Sequence, residues 1–177
     1  MKFHETKITG VCEIHLEPKH DERGFFARSW CAQEFEKHGL NPKLVQCSIS
    51  FSTHKGTLRG MHYQAAPYQE AKLVRCTTGA IFDVAIDLRP HSPTFKSWVS
   101  AVLTAELRNM LYVPEGCAHG FLTLEDNTEV FYQMSEIFNP DSARGIRWDD
   151  PAFQIAWPAR VEQMSERDRT CPDFVEA

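Results

Sequence analysis

From Lys43 onward the chain is cut into short runs of β-branched and aromatic residues, separated every few positions by Gly, Pro, Asn or Asp. LVQCSISFS, KLVRCTTGAIFDVAIDLR, SWVSAVLTAE, NMLYVPEG, GFLTLED and EVFYQMSEIF all read as strands or pairs of strands. Many short strands with little helix restrict the architecture to a sandwich or a barrel. One stretch breaks the pattern: SWCAQEFEKHGL places Trp30, Phe35 and Leu40 on partly helical spacing and predicts a short helix capped by Ser29 and stopped at Gly39. No repeat, low-complexity segment or Gly/Ser/Pro linker divides the 177 residues, so a single domain over 1–177 is expected.

Bulk properties exclude several function classes. The net charge of -5 argues against a nucleic-acid-coating surface, which needs a basic face to displace counterions. An anionic ligand would have to be held by a few local cations. No apolar run approaches the roughly 18 residues that span a bilayer, so no membrane partner is expected. The opening MKFHETKITG has neither the apolar stretch nor the small-residue cleavage site of an export signal, which points to the cytoplasm. The six cysteines form no CxxC pair, a spacing that suits free thiols better than disulfides or a zinc site.

Within AIFDVAIDL the alternation puts Phe82, Val84, Ile86 and Leu88 on one face, expected to be core. The other face, with Ile81, Asp83, Ala85 and Asp87, is mixed. Asp87, beside Arg89 near the strand end, is expected to face water. Asp83 faces either water or a polar cavity, where it could support a catalytic group from behind.

Two segments carry the chemistry. GTLRGMHYQ sets Arg59 and His62 in a strand that could have held only apolar side chains, and VPEGCAHGF has the Pro-Gly turn followed by a histidine, His119. The pair resembles the two motifs of cupins, small all-β jelly-roll barrels also described as double-stranded β-helices. Gly56 and His62 fit the first motif. However, Gln64 stands where a second metal-binding histidine belongs, and Lys72 occupies the place of the glutamate. A lysine ammonium there opposes a metal dication. The expected fold is therefore a cupin-type barrel with short peripheral helices, no metal and no cofactor.

The stretches DERGFF, TLRGMHYQ, KLVRCTTGAIFDVAIDLR, VPEGCAHGF, EVFYQ, GIRWDDP and SERDRTCP, in that order, resemble the dTDP-4-dehydrorhamnose 3,5-epimerase family over almost the whole chain. That resemblance implies epimerisation next to the ketone of a nucleotide-linked 4-keto-6-deoxy sugar, through an enolate. It implies His62 as base, Asp168 as its hydrogen-bonded support, Tyr132 as proton donor and Lys72 as stabiliser of the enolate oxygen. Imidazole and phenol are chemically suited to these parts. Arg23, Gln46, Arg59 and His119 match positions that bind the sugar or diphosphate, and Phe138 stands where a ring stacks on the base. The family also implies a homodimer with N-terminal strands packed across the partner. The chain departs from the family pattern at Arg28, Ser48, Ile137, Phe138 and Ala143, all on the ligand-binding side. A ketoisomerase and a non-catalytic sugar-binding barrel are the competing readings; retention of His62, Tyr132 and Asp168 favours the epimerase.

Overall fold

The computed structural model describes residues 1–176. Thirteen strands and two short helices follow one another in the order β1 (Lys2–Glu5), β2 (Cys12–His15), β3 (Lys19–Asp21), β4 (Gly24–Phe26), α1 (Ala32–Lys37), β5 (Gln46–Ser52), β6 (Leu58–Gln64), β7 (Lys72–Thr78), β8 (Ala80–Asp87), β9 (Trp98–Thr104), β10 (Met110–Val113), β11 (Cys117–Thr123), β12 (Thr128–Met134), β13 (Ala143–Gly145) and α2 (Glu166–Arg169). Two antiparallel sheets pack face to face, one in the order β1-β2-β10-β7-β12-β5 and one in the order β13-β6-β11-β8-β9. This is the expected jelly-roll barrel. β3 and β4 pair only with each other, as a small hairpin outside both sheets.

Alternation along the strands sorts the apolar side chains into three layers. Val74, Cys76 and Val130 from one sheet meet Ile81, Ala85, Leu103 and Phe121 from the other to form the inner core. Outside the six-stranded sheet, Ile14, Leu73, Met110 and Tyr112 pack on Phe35 and Leu40 at α1. Outside the five-stranded sheet, Met61, Val84 and Ile86 are covered by Ile146, Phe153 and Trp157 from the long segment after β13. Both faces of β8 are consequently buried. Asp83 points between the sheets, and Asp87, expected to face water, is 0% exposed. The reason is local: Arg89, Ser92 and Thr94 fold back over the Asp87 carboxylate and donate hydrogen bonds to it.

The helix also starts later than its sequence suggests. Cys31 is the N-cap and offers no side-chain bond, while Ser29 lies outside the helix. Trp30 is the residue just before that cap, and its ring centroid lies 6.3 Å from that of Phe35 in the first turns. This apolar staple, rather than a hydroxyl, sets the entry of the chain. Gly39, at φ +70, ends the helix as expected. EVFYQMSEIF stops being strand at Met134, four residues short of the run, and four strands precede Lys43 where the sequence reading had none.

Candidate functional site

A cavity of about 600 Å³ opens between the two sheets. Arg59 and His62 of β6 and His119 of β11 line it from one sheet; Ser50 and Ser52 of β5, Lys72 of β7 and Tyr132 of β12 line it from the other. Phe121 belongs both to the cavity and to the inner core, so the core forms part of its wall. The loop between β5 and β6, with Thr53, His54 and Thr57, adds to the wall, and so does the segment from Gln163 to Asp168, including Arg167.

That last segment is held where β6 begins. Gly56 O accepts the Glu162 N–H at 2.9 Å, and Leu58 N–H donates to Gln163 O at 2.8 Å. Ser165 Oγ then accepts the Asp168 N–H at 3.0 Å and caps α2. Asp168 is thereby delivered to His62: its Oδ1 lies 2.6 Å from Nε2, and its Oδ2 accepts the Gly60 N–H at 3.4 Å. Burial pushes the Asp168 carboxyl up, but the His62 bond and charge together with the Gly60 N–H outweigh it and hold the group below the usual carboxylate range. An ionised carboxylate only accepts, so in the neutral form of the ring Nε2 carries the proton and Nδ1 the lone pair.

A second histidine–aspartate pair stands beside the first. His119 is the cross-strand partner of His62, and its Nε2 lies 2.7 Å from Asp83 Oδ1. Asp83 is fully buried and its Oδ2 has no partner. Burial raises its pKa, against the opposing pull of His119 and Lys72. The close approach of β6 and β11 that sets the imidazoles side by side depends on glycine. A Cβ on Gly60, at φ +138, would fall 2.6 Å from the Gly120 Cα.

Across the cavity, Tyr132 is paired on the sheet with Ser48 and Val74, and its ring packs on the inner core. Lys72 Nζ lies 3.0 Å from Glu70 Oε1. Arg59 Nε donates to Ser52 Oγ at 3.2 Å and Nη2 to Phe51 O at 2.8 Å, which fixes the guanidinium. Gln64, at the position of the second cupin histidine, is buried, and its amide is committed to Tyr68 O, Ile137 O and the Asn139 N–H. It acts as a loop tie, and among the described residues no cluster of three His, Cys, Asp or Glu side chains is arranged to hold a metal.

The fold thus brings His62, Asp168, Tyr132, Lys72, Arg59 and His119 together. It does not bring Arg23, Gln46 or Phe138 to the cavity of the same chain. Arg23 is on the β3–β4 hairpin with its side chain 85% exposed, 2.6 Å from Asp21. Gln46 Oε1 accepts the Phe138 N–H at 3.0 Å, and the Phe138 ring lies half in solvent. Conversely, sequence reasoning did not name Ser50, Arg167 or Glu70. SERDRTCP had drawn notice to Asp168 alone, although the arginine beside it also reaches the wall.

A cupin-type barrel that sets an imidazole–carboxylate pair and a phenol on facing sheets around one cavity is equipped to take a proton from a bound molecule and to give one back, and its relatives make it an isomerase. Residues 5–176 match the family model described as dTDP-4-dehydrorhamnose 3,5-epimerase. The chain is 45% identical to the dTDP-4-dehydrorhamnose 3,5-epimerase of Shigella flexneri, over 100% of this chain and 98% of that protein. Its fold matches the crystal structure of the enzyme of that name from Elizabethkingia anophelis with a TM-score of 0.95 at 36% identity, over 98% of this chain and 96% of the other. A dTDP-6-deoxy-D-glucose-3,5-epimerase from Legionella pneumophila, solved in complex with dTDP-4-keto-L-rhamnose, matches with a TM-score of 0.89 at 36% identity, over 97% and 92% of the two chains. The chain belongs to the dTDP-4-dehydrorhamnose 3,5-epimerase family.

Proposed function

We propose that this epimerase inverts C3 and C5 of a dTDP-linked 4-keto-6-deoxy sugar by proton transfer across the cavity. The 2.6 Å bond from His62 Nε2 to Asp168 carries the reading, because it leaves a basic Nδ1 on an imidazole held in one orientation. Nδ1 takes the proton next to the ketone, and the electron pair moves into an enolate whose oxygen is received by the Lys72 ammonium. Tyr132, on the facing sheet, returns a proton to the opposite side of the ring carbon, which inverts it. The imidazolium and phenolate left behind are reset by exchange with water. Loss of a donor to such an oxyanion costs about 10²- to 10³-fold in turnover, and loss of the base about 10²- to 10⁴-fold.

Arg59, with its fork fixed by Ser52 and Phe51, is suited to one phosphate of the diphosphate, and Arg167, which also lines the cavity, to the other. Asp83 keeps His119 in a single orientation towards the sugar. Arg23, Gln46 and Phe138 find a role in a homodimer. β5 ends its sheet and turns Ile49 and Phe51 outward, 62% and 52% exposed, with Val45 just before it at 40%, a surface that a second copy would cover. The β3–β4 hairpin, with Phe25 and Phe26 exposed, then packs across the partner and carries Arg23 with it. All six cysteines are free, consistent with a reducing cytoplasm, and among the described residues no helix is long and apolar enough to cross a membrane.

The test is incubation with dTDP-4-keto-6-deoxyglucose in deuterated water, following label at C3 and C5 by NMR. The expected result is deuterium at both carbons, abolished by His62→Ala. Label at neither carbon, or undiminished label with His62→Ala, would overturn the assignment.

A further inference from the structure

Lys72 has a partner that the catalytic reading leaves without a task. Glu70 lies two residues earlier, in the loop that leads into β7. Its Oε1 is 3.0 Å from Nζ, and the two side chains are only 12% and 9% exposed for Lys72 and Glu70. The intervening Ala71 is pinned on both its polar groups: its N–H donates to Ser135 Oγ at 2.7 Å, and its carbonyl accepts the Ser135 N–H at 2.9 Å. The backbone under the pair is therefore fixed. Lys72 lines the cavity and Glu70 does not, so the carboxylate holds the ammonium from behind. Among the described residues Lys72 is also the only ionic partner of Glu70.

A lysine ammonium is a compact charge on a stem of four rotatable bonds, and an unanchored one spends most of its time aimed elsewhere. Catalysis by an oxyanion donor depends on its being in place before charge develops. We infer that Glu70 is a positioning residue: its carboxylate holds the Lys72 ammonium in place by ion pairing and thereby keeps its N–H bonds in reach of the oxygen of the enolate. The inference rests on the assignment of Lys72 as the group that receives that oxygen. A nearly buried acid at this spot is otherwise a cost, since a carboxylate out of water is tolerated only when paired.

Kinetics with dTDP-4-keto-6-deoxyglucose, together with binding of dTDP, which lacks the sugar, test the inference in a double-mutant cycle of Glu70→Ala and Lys72→Ala. Glu70→Ala is expected to lower kcat by about tenfold or more while KM and the dTDP Kd stay unchanged. Glu70→Gln, equal in size but uncharged, is expected to recover little of that loss, which separates ion pairing from mere filling of space. In the Lys72→Ala background Glu70→Ala costs nothing further. Should the alanine variant fail to fold, Glu70→Leu, closer in volume, takes its place in the cycle. An undiminished kcat, an equal loss in the presence and absence of Lys72, or a rise in dTDP Kd that tracks kcat would overturn the inference. A Lys72→Ala variant with full turnover would instead overturn the assignment of Lys72 itself.

Discussion

The hydrogen bond between His62 and Asp168 fixes both the tautomer and the direction of the imidazole, and stabilises the imidazolium once a proton has been taken. Asp168→Asn replaces an obligate acceptor by an amide, so Nε2 no longer has to carry the proton. Turnover is expected to fall about 10²- to 10⁴-fold with dTDP affinity retained, as read from initial rates and calorimetric titration. Asp87 makes a prediction of a different kind. Burial alone would raise its pKa, yet the bonds from Arg89, Ser92 and Thr94 bring it down to about 2. A folded-state value below the unfolded one gives stability that is complete above the ordinary carboxylate range near about 4 and is lost as the pH falls towards the folded value. Asp87→Asn should therefore cost roughly 2 kcal/mol at pH 7, a gap that urea titrations will find narrower at pH 3. The contrast between these aspartates shows what a sequence discloses at this scale. Asp168 was legible because it sits in a stretch with a family counterpart, whereas Asp87 resembled any charge at a strand end. Nothing in the order of residues shows that Arg89, Ser92 and Thr94 fold back over it. Glu70 and Arg167 were missed for the same reason, since their significance lies in what the fold places beside them.

At the scale of elements, the crossing of β6 and β11 decides whether the two imidazoles stand together. Gly120 has no room for a methyl group: a Cβ would meet Met61 Sδ at 2.6 Å and Arg59 O at 2.8 Å. Gly120→Ala is expected to force the strands apart, lowering stability by about 1–3 kcal/mol and turnover more than stability alone explains. Thermal unfolding and kcat measured on the same preparation check both effects. The strand-rich body from β5 to β12 was readable because its alternation is strong and its punctuation by Gly, Pro, Asn and Asp is regular. β1 to β4 were not, because the first, third and fourth are mostly exposed and only three or four residues long, too short for a period to register. In SWCAQEFEKHGL the helix itself was legible, but its start was set by the Trp30–Phe35 contact and not by the serine that looked like a cap.

For the molecule as a whole, the outward side of β5 exposes the large apolar side chains of Ile49 and Phe51 on an edge strand. Ile49→Glu places a charge in the middle of it without touching the cavity, and is expected to turn the proposed dimer into monomers in sedimentation velocity. A variant that sediments as the unaltered protein would move the interface elsewhere. The strand runs pointed to a sandwich or barrel, and the resemblance of GTLRGMHYQ and VPEGCAHGF to the cupin motifs narrowed that to the jelly roll observed, while which edge strand stays apolar on its outer face became clear only once the sheet order was known. The bond between His62 and Asp168 joins positions 106 residues apart, with the acid on the final helix. A ribosome therefore releases every strand of the barrel before it releases the carboxylate that supports the base. The nascent chain can pair its sheets with His62 already in place but unsupported, and one wall of the cavity together with the partner of the base is added only afterwards.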